Sequence, residues 1–86
     1  MKILPNDEPG GSRHGSLTGV SFKDDEKVIG FKANCDDDPS KVTHSWGFTA
    51  DGVACGIWDY KGSRVLSTDG PDKVFVKLFG KKYSKG

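Results

Sequence analysis

The dipeptide Asp51-Gly52, set between two runs of alternating apolar and polar residues, constrains this chain more than any other feature. A two-residue type I′ turn needs positive φ at both central positions, and its twist matches that of the strands it joins. Taking Asp51 and Gly52 as the turn fixes a register over residues 41–60. Ala50 then stands opposite Val53, Phe48 opposite Cys55, Trp46 opposite Ile57 and His44 opposite Asp59. Successive side chains point to opposite faces, so one face carries Val42, His44, Trp46, Phe48, Ala50, Val53, Cys55, Ile57 and Asp59. The other carries Thr43, Ser45, Thr49, Ala54, Trp58 and Tyr60, with Gly47 and Gly56 bare at its centre. The first face reads as core. The second is lighter and reads as partly exposed; the alternative is that the N-terminal segment folds over Trp58 and Tyr60.

A chain of 86 residues supports one hydrophobic core, so residues 1–86 form a single domain. A mean hydropathy of -0.55 makes that core lean, but two tryptophans, two tyrosines and five phenylalanines supply large buried areas. No apolar run approaches the roughly 18 residues that a membrane-spanning helix needs. The start, Met1 to Asn6, lacks the apolar core of a secretory signal. The expected location is cytoplasmic, where Cys35 and Cys55 read as two free thiols, with one disulfide as the alternative.

On the N-terminal side, residues 5–15 are rich in turn formers, and 1–15 read as an irregular arm. Residues 16–20 suit a short edge strand. Ser21 followed by Asp24 imitates a capping box, and Gly30 is placed to end a helix over 22–29 in the left-handed conformation. An extended segment over 27–33 competes with that reading. Beyond the hairpin, Lys61-Gly62-Ser63 is a turn, and residues 64–67 suit a third strand. Thr68-Asp69-Gly70-Pro71 reads as a helix start with proline near the first helical position. Val74, Phe75, Leu78 and Phe79 form one apolar stripe of a helix over 71–79, which Gly80 ends. Residues 81–86 read as a mobile tail. The expected architecture is α+β: a small antiparallel sheet built on the 41–60 hairpin, with two short helices on one face.

Charge is unevenly spread. Residues 61–86 hold Lys61, Arg64, Lys73, Lys77, Lys81, Lys82 and Lys85 against only Asp69 and Asp72, a local excess of about five positive charges. A basic end suits an acidic partner or nucleic acid; a solvated helix face has the same composition.

Several constellations carry candidate chemistry. His44 opposite Asp59 pairs an imidazole with an orienting carboxylate, which with Ser45 or Ser63 sketches a hydrolase, but no Gly-x-Ser-x-Gly nucleophile motif accompanies it. Metal binding finds no Cys-x-x-Cys or His-x-x-x-His spacing, and Asp36-x-Asp38 lacks the later ligands of a calcium loop. No cofactor is implied. The loop from Gly10 to Ser16 turns freely and offers Arg13 and His14 to an anion, although it matches neither dinucleotide nor P-loop fingerprints. Trp58 and Tyr60, with Lys61 and Arg64 close behind, place aromatics beside cations, the residue types that dominate binding hot spots or stack on bases.

The segment Asp37-Asp38-Pro39-Ser40-Lys41-Val42-Thr43-His44-Ser45-Trp46-Gly47-Phe48, the turn Asp51-Gly52 and the strand Ile57-Trp58-Asp59-Tyr60-Lys61-Gly62-Ser63 resemble a group of small proteins encoded by bacteriophages. The resemblance covers about residues 16–80 and carries no catalytic residues with it. It implies an accessory protein acting in a bacterial host's cytoplasm by binding. The expected function is therefore non-enzymatic: binding, and inhibiting, a host or host-defence protein through Trp58, Tyr60, Lys61 and Arg64, with Arg13 and His14 nearby. A nucleic-acid or small-nucleotide binder using the Gly-rich loop 10–16 is the alternative, and a small hydrolase the third.

Overall fold

Asp51 and Gly52 take φ values of 49° and 84°, the paired left-handed conformations that a type I′ turn requires. The computed structural model describes residues 1–7, 13–35, 42–60 and 65–85, with the backbone alone for Val42, Thr43 and Tyr60. The turn joins strands β3 (Val42–Ala50) and β4 (Val53–Tyr60), in the expected register from Ala50–Val53 to His44–Asp59. A shift between Val42 and His44 then pairs Val42 with Tyr60, the one-residue irregularity of a bulge.

Four short strands complete an antiparallel sheet: β1 (Ile3–Pro5), β2 (Gly15–Leu17), β5 (Leu66–Asp69) and β6 (Tyr83–Lys85). The strand order is β1-β3-β4-β5-β2-β6. Two expectations change here. The arm 1–15 contains β1, tied to the hairpin turn by the Asp51 amide donating to Lys2 O (2.9 Å) and the Lys2 amide donating to Asp51 Oδ1 (2.7 Å). The tail contains β6, which flanks β2 and so makes β2 an interior strand. Both edge strands have three residues, and such short edges offer little backbone to a foreign strand.

The capping box reading holds for α1 (Phe22–Ile29). Ser21 Oγ accepts from the Asp24 amide (3.1 Å), and Asp24 Oδ2 accepts from the Ser21 amide (3.2 Å). That amide bond holds the Asp24 carboxyl below its ordinary pKa. Gly30, at φ 100°, closes the helix. Helix α2 (Asp72–Phe79) starts differently from expectation. Pro71 is itself the N-cap and makes no side-chain bond, because Thr68 and Asp69 are consumed by β5. A 3-10 turn, Gly80–Lys82, leads from α2 into β6.

Both helices lie on the face led by Trp46 and Phe48. Phe75 of α2 meets Phe48 edge-on (centroids 6.3 Å, 75°), and Phe22 of α1 leans towards Trp46 (6.4 Å). The core beneath them joins Leu17, Ile29, Trp46, Phe48, Ile57, Leu66, Val74, Phe75 and Tyr83. Leu78 and Phe79 pack only at its rim. Gly15 shows how tightly β2 is enclosed: a Cβ there would stand 2.6 Å from both Cε1 and the hydroxyl of Tyr83.

Candidate functional site

Trp58 does not form the exposed anchor that the alternation suggests. It retains only 9% exposure; it sits in central strand β4, with Ser45 and Ser67, both buried, as its cross-strand neighbours. The bare centre of its hairpin face is real: Gly47 and Gly56 stand opposite each other. At Gly47, Asn34 substitutes for a neighbouring strand. Its Oδ1 accepts from the Gly47 amide (3.0 Å), and its Nδ2 donates to Gly47 O (3.0 Å). Lys61 and Arg64 lie outside the described residues, as do Gly10, Gly11 and Ser12 of the Gly-rich loop, the Asp36–Asp38 run and the side chain of Tyr60.

Arg13 and His14 fare differently. The His14 amide donates to Thr68 O (2.8 Å), extending the β2–β5 pairing by one bond, and its ring Nδ1 lies 2.6 Å from Asp69 Oδ1. This pair is on the surface, with side-chain exposures of 60% and 26%, so its worth to stability is small. Its worth is positional: it fixes the end of the loop, and exposed Arg13 with it, against β5.

Beside it, at the start of α2, Asp72 Oδ1 accepts from the Tyr83 hydroxyl (2.5 Å), and Asp72 Oδ2 lies 3.5 Å from Lys85 Nζ. The Tyr83 hydrogen bond is the main cause holding Asp72 below its ordinary pKa, with Lys85 adding to it. Burial first, then the neighbouring carboxylate, pushes the Tyr83 hydroxyl up. The two acids of the C-terminal segment are thus each engaged by a partner; Lys85 is one of those partners and still exposed, as are Lys81, Lys82 and Arg13. Backbone pairing places Lys85 opposite Gly15 and bonds the Thr18 amide to Lys82 O (2.8 Å). The outermost strand β6 therefore has Lys81 and Lys82 just before one end and Lys85 at the other, opposite Gly15, which Arg13 precedes by two residues. Sequence reasoning found the charge bias and missed the edge, since nothing local signals that β2 and β6 pair.

Chemically, this edge is a strip of exposed cations. Among the described residues no hydroxyl or thiol is hydrogen-bonded to His14. His44 does stand opposite Asp59 in the sheet, and its ring stacks on Phe22 (4.0 Å, 26°). Cys35 and Cys55 are both free thiols; burial pushes Cys55 up to about 11, with Asp69 adding, which keeps it unreactive. Among the described residues no three His, Cys, Asp or Glu side chains come close enough to hold a metal, and no helix is long and apolar enough to cross a membrane. A shallow groove of about 360 Å³ runs between Lys23, Glu26, Lys27 and Lys32.

Comparison with protein-family models, with curated proteins and with solved structures gives no match.

Proposed function

We propose that this chain is a non-enzymatic accessory protein of the bacteriophage type that binds, and thereby inhibits, a host or host-defence protein in the host cytoplasm. Its contact surface on this reading is the basic edge of Arg13, Lys81, Lys82 and Lys85, offered to an acidic patch on the partner. The observation that supports the reading is the uneven charge: Asp69 is held by His14, Asp72 by Tyr83 and Lys85, and Arg13, Lys81, Lys82 and Lys85 all stay exposed around β2 and β6. Such an edge favours fast, salt-sensitive association with a surface of opposite sign. Two free thiols suit a reducing compartment. Trp58, being buried, drops out of the contact set.

The test is a pull-down from nuclease-treated bacterial lysate with wild-type bait and with a Lys81→Glu, Lys82→Glu, Lys85→Glu variant. The expected result is a protein partner retained by wild type after nuclease and reduced at least tenfold by charge reversal. Capture that survives the reversal unchanged contradicts the basic-edge reading. Capture abolished by nuclease points instead to nucleic acid, in which case Arg13→Ala should also weaken it.

A further inference from the structure

Asp25 lies on the buried side of α1, with 0% of its surface exposed and neither carboxylate oxygen hydrogen-bonded. Buried acids are normally paired or bonded, because an isolated carboxylate pays heavily for leaving water. The helix that carries it is lightly anchored. Ile29 is its one buried apolar residue, while Phe22 and Val28 remain 39% and 38% exposed. Further ties are the ring contacts of Phe22 with His44 (4.0 Å) and Trp46 (6.4 Å) and, just past the helix, the Trp46 Nε1–H donating to Phe31 O (3.0 Å), with Phe31 and Ala33 packed on the core.

We propose that Asp25 makes α1 a proton-locked flap: with the carboxyl protonated the helix lies closed on the sheet, and ionisation favours a lifted state that uncovers Trp46. The charged and titratable groups around it do not compensate an ionised Asp25. On α1 these are Lys23, Asp24, Glu26 and Lys27; β3 presents His44, and the 3-10 turn presents Lys82, whose charge acts on Asp24. Burial alone moves Asp25, raising it to about 7 from the ordinary 3.8 that solvent restores when the helix lifts. The closed state thus holds a proton that the open state releases. Opening is least favourable below about pH 4, grows about tenfold per pH unit towards pH 7, and levels off above it. A helix with few buried contacts is the natural unit for such local opening.

Hydrogen exchange tests this on the whole chain. Protection factors, taken against unfolded-peptide rates at each pH, are measured for amides in 25–30 and 75–79 between pH 5 and 8. The expected result is that α1 protection falls about fifty-fold from pH 5 to 7, stays below that of α2 and is insensitive to low urea. Asp25→Asn should flatten the pH response, and Asp25→Leu serves equally should the asparagine variant fail to fold. Three results would overturn the flap: α1 protection independent of pH in wild type, the same slope in the variants, or α1 amides exchanging with the protection and urea dependence of α2.

Discussion

Phe75→Ala is expected to lower the unfolding free energy by about 3–5 kcal/mol, the usual cost of emptying a phenylalanine site in a core. Phe75 is 0% exposed and links three elements: it meets Phe48 of β3 edge-on and stacks on Tyr83 of β6 (5.4 Å, 21°). Removing the ring therefore leaves a cavity under α2 and withdraws the support of the Tyr83 ring, whose hydroxyl anchors Asp72. A domain of this size has roughly 5–15 kcal/mol in all, so the loss is a large share of it. Urea titration at fixed pH measures it. A variant that melts with the parent would mean that α2 does not pack on the sheet.

The second large effect is a dependence on pH opposite to that of most proteins. Asp25 has a folded pKa near 7 and an unfolded value near 3.8, so the folded state holds the extra proton between them. Its contribution is fully present below about pH 4 and is lost as pH rises to 7, a fall of about 4 kcal/mol at 1.36 kcal/mol per pKa unit. Asp24 and Asp72, both lowered, act the other way: their contributions are present above 3.8 and vanish in stronger acid. Stability should thus peak near pH 4 and decline towards neutrality. Asp25→Leu should abolish the decline and, at pH 7.5, exceed the parent by a few kcal/mol, as replacing an uncompensated buried charge commonly does. Urea midpoints of both proteins from pH 4 to 8 decide the matter; parallel profiles would remove Asp25 as the cause.

How much of this was legible in the chain depends on the range over which each signal acts. Asp51-Gly52 and the alternation around it are local, and they specify the hairpin register residue by residue as far as His44–Asp59. The Ser21–Asp24 box and Gly30 are equally local, and α1 begins and ends where they place it. Ile3-Leu4-Pro5 and Tyr83-Ser84-Lys85 are too short to display a period, so β1 and β6 exist only through their partners. The same limit hid the basic edge, because His14 and Asp69 are 55 residues apart and Asp72 reaches Tyr83 only after the chain has turned through α2. Trp58 teaches a narrower lesson. Alternation assigns a side chain to a face, but whether that face is covered depends on the rest of the fold. Asp25 carries no local signal that sets it apart from the exposed acid beside it, Asp24; the packing of α1 against the sheet turns it inwards.

These features divide the molecule by role. The helix-covered face, led by Trp46, Phe48 and Phe75, supplies stability, and the basic edge at β6 is the proposed contact. The most direct measurement on that edge is lysine reactivity, read by acetylation and mass spectrometry on the free protein and on the complex recovered from lysate. Lys81, Lys82 and Lys85 should lose reactivity at least several-fold on binding, while Lys23, Lys27 and Lys32 keep theirs. Protection of Lys61 or of the α1 lysines, with the β6 edge unchanged, would contradict the assignment and move the contact to another face.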